Sequence, residues 1–140
     1  MNITRRAFVA YAVVPLRVLT VDQSKLLEAL CEQIIPADQD PGAKEAGVIY
    51  FIDQQLAGPY QRFRTRYQQG LAAMPAEFLA WSFDQQTKYL QTIEKTPFFQ
   101  MLVDHTMQGF YGSPRHGGNK NEASWKMLGI APNMGHGPHA

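Results

Sequence analysis

Wherever apolar residues cluster in this chain they recur at helical spacing, and no stretch alternates polar and apolar for long enough to make a strand. That pattern confines the chain to an all-α fold. Thr20 followed three residues later by Gln23 is a capping box, in which hydroxyl and amide each satisfy an orphan backbone donor. Leu26, Leu27, Leu30, Cys31, Ile34 and Ile35 then form one apolar stripe, which Pro36 ends. Asp38-Gln39-Asp40-Pro41-Gly42 reads as a loop, and a second helix is expected from about Ala43 to Ala57, closed by Gly58-Pro59. Tyr60, Phe63 and Tyr67 share helical spacing, with Arg62, Arg64 and Arg66 in the same segment. Ser82 with Gln85 is a second capping box, and Thr96-Pro97 is a capping residue followed by proline at the first helical position. Phe98, Met101, Leu102, His105, Thr106 and Gly109 line the face of the helix that begins there.

The expectation is a single compact domain of four to six short helices over residues 20–130, with a Gly-rich C-terminal loop and a tail at 131–140. Gly112 to Asn121 supplies the loop, and a short helical piece carrying Trp125 follows, about Glu122 to Leu128. A chain of 140 residues holds one ordinary core, and 45% hydrophobic against 18% charged residues favours folding.

Several function classes are excluded on composition. A net charge of +1 gives no basic field for nucleic acid. A single cysteine leaves no internal disulfide, Cys-rich zinc site or iron–sulfur cluster held by this chain alone. No C-x-x-C-H motif attaches a haem, and no G-x-G-x-x-G or Walker-type loop cradles a nucleotide. No apolar run approaches the roughly 20 residues that span a bilayer.

Residues 1–19 read as an export signal. Arg5 and Arg6 precede an apolar run from Ala7 to Leu16, which Arg17 ends. Thr4-Arg5-Arg6-Ala7-Phe8-Val9 resembles the twin-arginine consensus, an address carried by folded and often cofactor-loaded cargo. The competing reading is an amphipathic first helix with two surface arginines.

Candidate chemistry is sparse. His105, with Asp104 or Glu94, could serve a small independent hydrolase or metal-assisted enzyme; against that, a histidine on an apolar stripe is more often a hydrogen-bonded core residue. Asp38 and Asp40 lack the further acceptors of a calcium loop, and His116, His136 and His139 are too scattered for a structural metal site. Cys31 reads either as a small buried hydrophobe or as a thiol that bonds a partner chain. The arginine group at 62, 64 and 66 reads as a solvated helix face, with an acidic partner as the alternative. The segment from Gly109 to Gly129 is the most unusual, and Tyr111, Arg115 and Trp125 are residue types that anchor interfaces.

Four strings together resemble the gluconate 2-dehydrogenase subunit 3 family, the small subunits of membrane-bound sugar and sugar-acid dehydrogenases. They are TRRAFV, LLEALCEQIIPADQDPGAKEAGVIYFIDQQLAGPY, FRTRYQQGL and FFQMLVDHTMQGFYGSPRHGGNKNEASWKMLG. The resemblance implies a non-catalytic chain without a cofactor of its own. Its partners would be an FAD-containing catalytic subunit and a multihaem cytochrome c subunit, with FAD, c-type haem and, as a further candidate, an Fe–S cluster on those subunits. It also implies that the small chain stabilises the flavoprotein and escorts it through twin-arginine export. The expected location is the periplasm, with membrane contact only through the complex, and an interface of roughly 2,000 Å² or more.

Overall fold

The first capping box forms as its spacing predicts. The Gln23 N–H donates to Thr20 Oγ1 at 3.1 Å, and the Thr20 N–H donates to Gln23 Oε1 at 3.0 Å. Helix α1 follows, Val21–Ile34, and its stripe turns Leu27, Leu30 and Cys31 fully inward. Removing an aliphatic side chain of this size from water contributes about 1.5–3 kcal/mol, so this face alone fixes how α1 sits. The computed structural model describes residues 15–112 and residue 118. Arg5, Arg6, Arg115, Trp125, the three scattered histidines, the helical piece at 122–128 and the tail at 131–140 lie outside the described residues.

Beyond Pro36 the chain is held by one carboxylate on α1. Glu32 Oε2 accepts the Ala37 N–H at 2.9 Å and Oε1 accepts the Lys44 N–H at 3.0 Å, while the Ala43 N–H donates to the Ile35 carbonyl at 2.8 Å. Helix α2 runs Val48–Ala57 rather than starting at Ala43. Ala43 and Ala46 are buried as an extended stripe would require, but Gly47 is left-handed, with φ 72°, and separates the turns before it from the helix after it. Residues 48, 49, 51, 52, 53 and 56 of α2 are all buried, which makes it the central helix of the fold.

A 3₁₀ turn, Gln61–Phe63, leads into α3, Arg64–Ala72, and a second 3₁₀ turn, Phe78–Ala80, precedes α4, Phe83–Ile93. Ser82 and Gln85 form the second reciprocal capping box at the start of α4. Helix α5, Pro97–Tyr111, begins with the Phe99 N–H donating to Thr96 Oγ1 and packs against α1, α2 and α3. The fold is therefore all-α, with five α-helices and no strand among the described residues, inside the expected range of four to six. No helix among the described residues is long and apolar enough to cross a membrane.

Candidate functional site

The 3₁₀ turn at 61–63 and helix α3 present one face of rings to α5, and His105 lies beneath them. His105 is 5% exposed. The Tyr60 ring stacks on the imidazole with centroids 4.5 Å apart and planes 16° apart, and Phe63 and Tyr67 close the other sides at 5.4 and 5.8 Å. Tyr67 Oη and His105 Nδ1 share a hydrogen bond of 2.7 Å, and the Tyr60 hydroxyl donates to Gln108 Oε1 one turn along α5. Arg62 lies over the Phe63 ring, 4.4 Å from its centroid, and donates to the Pro59 carbonyl.

The electrostatics of this box follow from burial. Burial lowers the His105 pKa; Asp104 opposes the shift and Arg62 adds to it. Burial also pushes the Tyr67 phenol well above its ordinary value, with Cys31 and Tyr60 contributing in the same direction. Both groups are therefore neutral near pH 7, and one proton bridges them. Neither expected catalytic companion joins them. Asp104 is exposed, and Glu94 lies on a different surface of the bundle, in a groove it shares with Val103 and Met107. No cluster of three metal-ligating side chains occurs among the described residues.

Cys31 occupies the core instead of a partner-facing surface. It is 1% exposed, the Thr106 hydroxyl donates to its Sγ at 3.4 Å, and burial pushes its thiol up to about 12. A bond from Cys31 to another chain would require α1 to part from α5, so of the two readings of this cysteine the buried hydrophobe fits the packing and the partner bond does not. The three arginines also divide their roles. Arg64 Nε donates to the Leu56 carbonyl at 2.7 Å and satisfies an orphan acceptor at the end of α2, Arg62 covers the rings, and Arg66 faces solvent.

Two residues that sequence reasoning passed over hold more of the backbone than any candidate it named. Glu32 clamps the 37–44 loop, as described above. Asp53, 2% exposed, accepts the backbone N–H groups of Arg17, Val18 and Leu19 at 2.6, 2.9 and 2.9 Å. The available signal was that Asp53 is the lone charged residue in the otherwise apolar VIYFIDQQLA of α2. A carboxylate placed beside a buried face has to be supplied with donors.

The surface expected to meet a partner is described in part. Tyr111 ends α5, 43% exposed, its ring edge-on to Phe110 at 4.8 Å. Met107, one turn earlier, is equally exposed and lies at the rim of a groove of about 410 Å³ between α1, α4 and α5, lined also by Ile34, Leu90, Phe99 and Val103. Gly118, from the Gly-rich segment, is buried against the Gly109 carbonyl and Phe51 Cβ. That contact places Gly118 at the junction of α2 and α5.

No curated protein and no solved structure matches the chain. A family model does, that of gluconate 2-dehydrogenase subunit 3, and its match covers residues 21–132, from the first turn of α1 through the Gly-rich segment and Trp125. The matched region includes the clamps at Glu32 and Asp53 and the whole of the ring box, and on that match the chain belongs to the gluconate 2-dehydrogenase subunit 3 family.

Proposed function

We propose that this chain is the non-catalytic small subunit of a periplasmic, membrane-associated FAD-dependent dehydrogenase complex. In that role it stabilises the flavoprotein subunit and carries it through twin-arginine export. Membership of a family named as a dehydrogenase subunit carries the reading. It is supported by where the chain's reactive side chains lie. His105 is paired to Tyr67, the Cys31 thiol is sealed in the core, and the Asp53 and Glu32 carboxylates hold backbone. Side chains engaged in this way serve the fold, so the chain's contribution to a dehydrogenase is a surface rather than a reacting group.

The FAD, the haem and the sugar or sugar-acid substrate then reside on partner subunits. The arginine pair at 5 and 6 supplies the export address, and Tyr111, Arg115 and Trp125 supply anchors to the flavoprotein. The test is co-expression of the flavoprotein subunit with and without this chain, followed by dehydrogenase activity in the periplasmic and membrane fractions. Activity that collapses when the chain is omitted supports the proposal. Full, correctly located activity without it refutes the proposal.

A further inference from the structure

Asp53 is buried in the central helix, yet its three side-chain hydrogen bonds all go to one stretch of backbone outside that helix. Both of its oxygens are engaged: Oδ2 accepts the Arg17 N–H at 2.6 Å, and Oδ1 accepts those of Val18 and Leu19, each at 2.9 Å. The stretch it holds runs directly into Thr20, the cap of α1, and Leu19 is itself part of the core at 8% exposed. Residues 17–19 are thus structural, although they fall inside the segment read as an export signal.

We propose that Asp53 sets the boundary of N-terminal processing: the mature chain keeps Arg17, Val18 and Leu19, and any cut falls at or before the Leu16–Arg17 bond. A cut beyond Arg17 removes the shortest of three donors from a carboxylate that is 2% exposed, and the loss of a buried charged group's partners is among the most costly changes a fold can suffer. A cut at the Leu16–Arg17 bond is different. Hydrolysis there turns the Arg17 amide nitrogen into an α-ammonium group. That group stays beside Asp53 Oδ2 and adds a full positive charge to a contact that was a hydrogen bond. Arg17 is therefore the last residue that can begin a stable mature chain. The statement about a removed leader rests on the export reading; the protection of residues 17–19 does not.

The test has two arms on the full chain. Intact-mass measurement of the chain recovered from the periplasm reads the mature N-terminus. Brief trypsin treatment of the folded full chain, followed by peptide mapping, compares the Arg17–Val18 bond with the Arg66–Tyr67 bond inside α3. The expected results are an N-terminus at or upstream of Arg17 and an Arg17–Val18 bond that survives with the core. Asp53→Asn, which keeps the shape and one acceptor oxygen, should raise cutting at Arg17–Val18 by about tenfold or more through local opening, with little change at Arg66–Tyr67. A mature chain beginning at Val18 or later overturns the proposal. So does rapid wild-type cutting at Arg17–Val18 that leaves the rest folded with an unchanged melting temperature. A chain that never leaves the cytoplasm defeats the escort reading, and the trypsin pattern alone then decides the role of Asp53.

Discussion

The Tyr67 hydroxyl and the His105 imidazole lie 2.7 Å apart in the interior, joined by one proton between two neutral groups. Tyr60, at the start of the 3₁₀ turn, covers the imidazole and Phe98 meets Tyr67 edge-on at 5.9 Å, so rings pack on both members of the pair. A histidine held like this fixes the packing of α3 on α5. It is not placed to take a proton from a substrate.

That arrangement gives stability a pH dependence of definite sign. The His105 pKa lies below its usual 6.5 in the folded chain, so the unfolded chain binds the proton first. The stabilisation is complete above 6.5 and is lost as pH falls from 6.5 toward the lower folded value. Thermal melts at about pH 7.5 and about pH 5.5 should show a smaller drop for His105→Gln than for wild type. The half-buried Glu28, whose pKa is raised above 4.5, contributes with opposite sign and cancels in the comparison. Equal drops in the two proteins would contradict this account of His105.

Cys31 should be silent in the native chain. A thiol pushed up to about 12 by burial supplies almost no thiolate near neutrality. Iodoacetamide labelling followed by intact mass should find Cys31 unmodified until denaturant is added, and non-reducing gels should show no disulfide-linked species. Rapid native labelling would mean that α1 and α5 separate readily.

Close packing at the junction of α2 and α5 makes two glycines sensitive to a single methyl group. A Cβ on Gly109 would sit 2.9 Å from the Phe51 ring and 3.1 Å from Val48, and one on Gly118 would overlap the Gly109 carbonyl oxygen. Gly109→Ala and Gly118→Ala should each lower stability by about 1–3 kcal/mol in denaturant titrations. Gly58→Ala is the control, because its nearest neighbour would be 3.8 Å away. A Gly118→Ala protein as stable as wild type would contradict the close approach of Gly118 to the Gly109 carbonyl.

Export should depend on the arginine pair itself and not merely on its charge. Changing Arg5 and Arg6 together to Lys keeps the charge and removes the guanidinium pair that the twin-arginine address requires. Periplasmic dehydrogenase activity should fall by an order of magnitude or more, about tenfold, with flavoprotein accumulating inside the cell. Unchanged periplasmic activity would show that the flavoprotein travels without this escort.

Helix identity was legible in the sequence because it rests on local chemistry. The boxes at Thr20/Gln23 and Ser82/Gln85 and the Thr96-Pro97 start are all complete within a few residues, and each forms as written. The start of α2 was not legible in the same way, since apolar spacing through Ala43 and Ala46 continues across Gly47 while the backbone does not. The tertiary roles were hidden for a different reason. Asp53 acts on residues 34 to 36 positions away, and Tyr67 meets His105 across 38, so no window of sequence contains both partners. For Cys31, composition left two readings open, and only the packing of α1 on α5 chooses the buried one.

The most direct test of the central claim is affinity capture of this chain after co-expression with the flavoprotein subunit, with flavin absorbance and dehydrogenase activity measured in the captured material. The account predicts a stoichiometric complex whose flavin and activity come with the partner, and a wild-type KM in whatever complex survives a Trp125→Ala change that lowers its yield. A chain captured alone, from cells whose flavoprotein is fully active and exported without it, would contradict the claim.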